Sequence, residues 1–441
     1  MVRMKKASRH VGKNTLVLKS KPYKRTLPPA RTIMTRSQCI TPTSFFHRLP
    51  LEVFHMILDQ LSVLEISVFS MVSKEISRSV MGYISTLAWQ NKTIIQSFHH
   101  STCLERRPNI GYYRNLGLLF KRCTLLLPTK ERLKFIFSKF SRMPCFMLEQ
   151  CLVPDSTGFC SYGVFLQTII AGWDEMECHR VFNFLCDLTN LLQKIEAVIT
   201  AKPGVRLHQE LQLRLFCRQV LLDPWLNQPE YLFWLTQLLK PWPMVNQAHL
   251  LLILYGPLLP EGTLSWQDLV DRALPHGALW DLARAILMLF GKGLTSDSRL
   301  AILEELIAIP QPWHMENVAR LLVLCGSSLC YTVLARKALN GQLLEISRLI
   351  VYILLVCEKD GCHMRWAVKL VQQICRVFST APERFCFIRQ LENMFSELTR
   401  ECFEFSVAGN RLEDRETFQN LCILLDSSAH FHTKFLHMFL K

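Results

Sequence analysis

The chain has 441 residues, half of them hydrophobic, and a formal net charge of +15. That length can bury a large core in two or three structural units. Seventeen scattered cysteines, no apolar leader behind the basic N-terminus and no apolar run beyond the nine residues Leu349–Cys357 argue against a secreted disulfide scaffold and against a membrane span. The expected setting is the nucleus, the cytoplasm or both, with the cysteines reduced and used as small buried hydrophobes.

The charge is not spread evenly. Residues 1–48 hold twelve Lys or Arg and no Asp or Glu, whereas the rest of the chain holds 39 basic and 36 acidic groups. The basicity therefore belongs to the leading segment. Residues 1–44 also carry Pro22, Pro28 and Pro29 and lack apolar periodicity, so they are expected to be a disordered basic tail. Lys5, Lys6, Lys19, Lys21, Lys24 and Arg25 are candidates for a nuclear-import signal, with a plain solvated leader as the alternative. Nucleic-acid binding is disfavoured, because no aromatic side chains alternate with the basic ones.

Residues 45–90 read as three short helices. Pro50 suits a first helical position, and Glu52 falls in the first turn, where the helix dipole favours an acid. Val53, Phe54, Ile57, Leu58 and Leu61 follow at helical spacing. Ser62-Val63-Leu64-Glu65 has the form of a capping box for a second helix carrying Ile66, Phe69 and Val72. Some forty residues cannot bury that much apolar surface alone, so one face should meet another protein.

This segment resembles an F-box. The family begins Leu-Pro-x-Glu, runs through aliphatic residues to a Leu one helix later and ends near Val-Cys-Lys before an aromatic; here Leu49, Pro50, Glu52, Ile57, Leu61 and Val72-Ser73-Lys74 hold those places. Glu65-Ile66 stands where Asp-Leu is common, and Ile76 where an aromatic is common. The stretches at 116–134, 171–191 and 239–248 resemble the "F-box only" group, which extends the likeness over most of the chain. The resemblance implies binding of Skp1 through Leu49, Pro50, Glu52, Val53, Ile57, Leu61, Ile66, Val72, Ser73 and Lys74. Through Skp1 it implies a cullin–RING scaffold, with an unidentified substrate protein held by the remainder: the substrate-recognition subunit of an SCF-type ubiquitin ligase. A scaffold that binds Skp1 yet protects or organises its partner stays open beside it.

Residues 91–110 read as a connection, and 111–441 as a helical substrate- or partner-binding region. Leu116, Leu119, Phe120, Cys123, Leu126 and Leu127 keep one helical face; Val318, Leu321, Leu322 and Cys325 keep another; Ala367, Leu370, Val371, Ile374, Val377 and Phe378 a third. Gly172, Pro203-Gly204, Pro229, Pro243, Pro310 and Pro382 are among the breaks between successive helices. Pro-Trp recurs at 224–225, 241–242 and 312–313 without a fixed period, so no named repeat is assigned. Trp173, Trp225, Trp242, Trp313 and Trp366 are read as core. The expected fold is all-α: a three-helix F-box unit followed by an irregular, solenoid-like helical array.

No constellation supports catalysis or a cofactor. The chain has no Cys-x-x-Cys pair for a RING-type zinc site, and neither Cys357, Cys362 and His363 nor His430 and His432 have paired-ligand spacing. Cys178-His179 in WDEMECHR puts a thiol beside an imidazole, but neighbours on a helix point about 100° apart, so an acidic first helical turn is the simpler reading. Gly291-Lys292-Gly293 lacks the Ser or Thr of a phosphate loop. A non-catalytic adaptor, with no metal, is the expectation.

Overall fold

The structure is a computed structural model and describes residues 45–95, 110–140, 156–291, 296–408 and 413–439. The expected basic tail with its import lysines, most of the 91–110 connection and Lys292-Gly293 lie outside the described residues. The chain divides into a short unit, residues 1–54, and a large one, residues 55–441.

In the short unit a 3-10 turn, Phe45–Arg48, precedes the start of helix α1 (Leu51–Asp59). The ring of Phe46 meets that of Phe54 edge-on at 6.3 Å, and the Phe54 N–H donates to the Pro50 carbonyl at 3.1 Å, closing the first helical turn behind the proline.

The large unit opens with α2 (Val63–Phe69), α3 (Lys74–Ile84) and the single turn α4 (Leu87–Gln90). The capping box forms as expected: the Ser62 hydroxyl accepts from the Glu65 N–H at 3.3 Å and the Glu65 carboxylate accepts from the Ser62 N–H at 2.7 Å. Ser73 and Thr86 cap α3 and α4 with their hydroxyls alone, accepting from the Ile76 and Trp89 N–H groups. A capped end matters most in helices this short, which have few internal hydrogen bonds.

There follow α5 (Ile110–Cys123), α6 (Thr129–Phe140), α7 (Ser156–Ile170), α8 (Glu175–Thr189), α9 (Leu191–Ile199) and α10 (Leu207–Phe216). A π-helical turn, Cys217–Leu222, and a 3-10 turn, Asp223–Trp225, lead to α11 (Glu230–Leu239), α12 (Met244–Tyr255) and α13 (Trp266–Asp271). The array continues through α14 (Trp280–Gly291), α15 (Ser296–Leu306), α16 (Met315–Cys325), α17 (Ser327–Leu339), α18 (Leu343–Lys359) and α19 (Met364–Cys375), and ends in the long α20 (Ala381–Ala408) and α21 (Glu413–Phe439). Among the described residues the only β pairing is an isolated bridge, Leu258 with Leu264, and no helix is long and apolar enough to cross a membrane.

Much of this unit follows one packing rule: a helix lies against the helix two places along. It holds for α10 on α12, α12 on α14, α14 on α16, α16 on α18 and α18 on α20, and in a second layer for α17 on α19 and α19 on α21. Such stacking is how repeat proteins extend one core without a central one. Helix α18 lies within both sets of contacts and is buried on most sides, from Ile346 to Cys357, as the apolar run at 349–357 foretold.

The breaks also sit where expected. Pro229 and Pro243 occupy the N-cap positions of α11 and α12, Pro382 lies in the first turn of α20, and Gly172 takes φ +79°, a left-handed value that suits glycine. Two expectations are corrected. The apolar face beginning at Leu116 does not reach Leu126, because α5 stops at Cys123 and Leu125 and Leu126 are exposed; Pro128 disfavours helical backbone in the residue before it. Of the five tryptophans read as core, Trp225 and Trp313 are buried, whereas Trp173, Trp242 and Trp366 are only half-buried.

Two packing devices hold the array together. At α7, Gly163 lets the π-helical turn come so close that a Cβ would collide with the Gln219 carbonyl. Between α16 and the end of α18, buried Arg320 donates to Glu316 at 2.9 Å, to Asp360 at 3.1 Å and to the Leu274 carbonyl at 2.6 Å, while Lys359 reaches Glu316 at 2.9 Å. The buried charges are thus paired on several sides, the arrangement that makes burial of charge tolerable.

Candidate protein-docking site

The short helices α2 to α4 of the large unit have two unlike faces. One is covered by the chain itself. Ile66, Ser67, Ile76, Ser77, Val80 and Ile84 are buried, with α2 and α3 packed on α5. Arg122 of α5 donates to the Ser67 hydroxyl at 2.9 Å, the Ser77 hydroxyl donates to the Cys123 carbonyl at 3.4 Å, and Trp89 meets Phe120 at 6.2 Å between ring centroids. Tyr83 donates to the Asp59 carboxylate at 2.6 Å, tying the end of α1 to α3; burial and that carboxylate hold the phenol protonated far into alkali.

The other face is bare. Leu64 and Val68, one turn apart on α2, are 42% and 50% exposed, and Met71 and Val72 in the following turn are 56% and 67% exposed. Met56 and Ile57 on α1 are exposed as well. Scattered surface leucines are ordinary, but a row of large apolar side chains on one short segment marks a place for a protein partner.

The residues singled out from sequence fall into three groups. Pro50, Glu52 and Val53 in the short unit and Ile57, Val72 and Lys74 in the large unit are exposed. Leu49, Leu61 and Ser73 are half-buried, and the Ser73 hydroxyl is occupied in capping α3, where it accepts from the Ile76 N–H at 3.1 Å. Ile66 departs from the expectation of a docking residue: it is 2% exposed and belongs to the face covered by α5. Met56, Leu64, Val68 and Met71 were missed. Each is a large apolar residue off the periodic core face, a signal present in the sequence.

A second concave feature lies on the array. A groove of about 680 Å³ is lined by Trp173, Phe233 and Leu239 among apolar residues and by the charged Glu175, Glu230 and Lys240. It includes Cys178 of the WDEMECHR segment. Asp174 caps α8, accepting from the Glu177 N–H at 2.7 Å, as an acidic first turn requires. The Cys178 thiol is pushed up to about 11, first by burial and then by the carboxylates of Glu177, Asp174, Glu230 and Glu175. It stays protonated near neutrality, whereas a nucleophile needs a lowered pKa. The His179 ring packs against Phe233 at 5.0 Å.

The other candidate ligand clusters are engaged in packing. Burial is the main cause that raises the Cys357 thiol to about 12. His430 meets the Glu358 carboxylate at 3.0 Å, and His432 meets Glu392 at 2.7 Å. Among the described residues no three His, Cys, Asp or Glu side chains gather as a metal site would require.

Comparison with known families agrees with this arrangement. Residues 46–82 match the F-box domain, and residues 188–429 match the family described as "FBXO47, ARM repeats". Fold and docking face together therefore define an F-box protein whose remainder is a helical-repeat array. F-box only protein 47 of Mus musculus is 45% identical over 415 residues, covering 92% of each chain. F-box only protein 47 of Homo sapiens is 45% identical over 417 residues, covering 93% of this chain and 92% of its own. The chain belongs to the F-box only protein 47 family. No solved structure matches it. The helical array of residues 188–429 is thus of the ARM-repeat kind, although its Pro-Trp pairs follow no fixed period.

Proposed function

We propose that this protein is a substrate-recognition subunit of an SCF-type ubiquitin ligase. The F-box module, residues 45–90, docks on Skp1 and through it on a cullin–RING scaffold; the array, residues 111–441, holds a target protein. The observation that carries this reading is the bare apolar row Leu64, Val68, Met71 and Val72 on a segment that matches the F-box domain. Pro50, Val53, Met56 and Ile57 extend the same reading along the residues that open the module.

The chemistry asked of the chain is positional. Holding a target beside a ubiquitin-loaded enzyme turns a bimolecular encounter into an effectively unimolecular one, worth several kcal/mol of barrier. No side chain here need touch the thioester that breaks.

Replacing Ile57 and Val68 together with Asp leaves the covered face alone and places charge in the row. Capture of Skp1 by the full chain should fall by more than tenfold, as expected for centrally placed apolar contacts, with the circular dichroism spectrum unchanged. Undiminished capture would remove the docking assignment. Deleting residues 45–90 then reads the outcome for captured targets: a lengthened target lifetime fits the ligase role, and a shortened one fits a protective scaffold.

A further inference from the structure

The groove beside α11 sets opposite charges at the two ends of that helix, with aromatic side chains left half-open along it. Its aromatic lining residues are themselves held by neighbours. The guanidinium of Arg132 lies 4.9 Å from the centroid of the Trp173 ring, and Phe233 is backed by His179 at 5.0 Å and Trp234 at 5.1 Å. Yet Trp173 and Phe233 remain only half-buried. The charges are polarised. Glu175 opens α8 and Glu230 opens α11, and both act on the Cys178 thiol, so they lie at one end. Lys240 follows the last residue of α11. Among the described residues none of these three makes an ion pair.

The two ends are separated by the length of α11. Ten residues at 1.5 Å rise give about 15 Å, the span of four or five extended residues at about 3.3 Å each. The dipole of α11 accounts for an acid at its start and a lysine at its end. The dipole of α8 accounts in the same way for Glu175 in its first turn, but neither dipole accounts for the aromatic side chains left half-open between the charges. A polyanion would be repelled at the Glu175 and Glu230 end. A wholly apolar occupant would cover charges it could not pair, which costs free energy.

We propose that this groove takes a short extended segment of a partner protein, with Lys or Arg at one end, apolar side chains in the middle and a carboxylate at the other. The cation meets Glu175 and Glu230, the apolar residues cover Trp173 and Phe233, and the carboxylate meets Lys240. This rests on the proposed role of the array as the target-holding part, and it states the class of segment by which a target is held.

The probe is a fluorescein-labelled peptide, Lys-Arg-Leu-Phe-Val-Ser-Glu, titrated with the full chain and read by fluorescence anisotropy. A control peptide replaces its Lys and Arg with Glu. Saturable binding is expected for the probe, with at least tenfold weaker binding of the control. Glu175→Lys combined with Glu230→Lys should weaken the probe at least tenfold, and Phe233→Ser should do the same. Higher salt should weaken the wild-type interaction and, by screening the new repulsion, strengthen the Glu-to-Lys variant's residual binding. Should the Lys variant lose helicity, Glu175→Gln with Glu230→Gln gives the same comparison without charge reversal. A probe that fails to bind, a control that binds equally well, or variants that bind like the wild type each overturn the proposal. Skp1 capture is scored on the same preparations. Its failure in the wild-type chain strikes the ligase reading, whereas lost peptide binding with intact Skp1 capture strikes only the groove.

Discussion

Gly163 and Asn317 carry more of the architecture than their size suggests. A Cβ at Gly163 would meet the Gln219 carbonyl, a backbone group that cannot rotate away. Gly163→Ala should therefore destabilise the chain by about 1–3 kcal/mol, the usual cost of overpacking, seen as a lower midpoint in urea denaturation. Asn317 is fully buried; its side-chain carbonyl accepts from the Leu274 N–H at 2.8 Å, and its amide donates to the Leu269 and Arg272 carbonyls at 3.0 and 2.8 Å. Asn317→Ala leaves the Leu274 N–H and the Arg272 carbonyl without a partner, at about 1–3 kcal/mol for each one that stays buried, while the Leu269 carbonyl keeps the His314 N–H at 2.9 Å. Asn317→Asp is the informative companion, because it keeps the acceptor and loses the donor pair. Neither residue announced itself in the sequence. A lone Gly in an apolar run and an Asn at the start of a helix are commonplace, and what makes them matter arrives from parts of the chain some fifty residues away. The same is true of Arg320. Its i, i+4 partner Glu316 was legible, but Asp360 on the next-but-one helix was not.

At the scale of elements the sequence was far more readable. Local rules placed the capping box at Ser62 and Glu65, the acidic first turn of α8 behind Asp174, and the proline-marked starts of α11 and α12, because each depends only on residues within one turn. Ser62→Ala should cost about 1 kcal/mol and, since α2 spans only seven residues, should show first as faster amide exchange across Val63–Phe69 and not as global unfolding. Which face of each short helix is covered was harder to read. Ile66 and Val68 are both apolar and two residues apart, yet one is 2% and the other 50% exposed. Helical periodicity separates two faces but does not say which will find α5. The repeat was also illegible by eye, because stacking of a helix on its second neighbour constrains volume and apolarity at many positions and identity at few.

For the whole molecule, the cysteines set an alkaline limit. Burial raises the thiols of Cys123 and Cys178 to about 11 and those of Cys325 and Cys357 to about 12. An unfolded chain loses these protons near pH 8.5, while the folded chain keeps them. Raising the pH therefore favours unfolding, beginning above about 8.5 and continuing to the folded values. Stability should be level in this respect from pH 7 to 8 and then fall, with the melting temperature dropping by roughly 5 °C or more by pH 10.5. A flat profile through that range would mean the thiols are not held as described. Labelling with a maleimide at pH 7 gives an independent check: among the described cysteines, Cys362 and Cys386 are exposed and should react first, with Cys217 and Cys330, both buried, protected until the array opens.

Arg122 and Ser77 fasten the head of this protein straight onto its first long helix, with no free joint at that point. If the bare face rides on a ligase, anything gripped by the array is offered at a set distance and bearing, like work clamped to a fixed bench. Lysines that happen to fall beneath the tool would be modified and others passed over, so the choice of attachment position would be built into the clamp and not left to chance encounter. Loosening the fixture with Arg122→Ala and Ser77→Ala should scatter ubiquitin over more sites of a captured protein, a change that peptide mapping would reveal even where the total amount attached stayed constant.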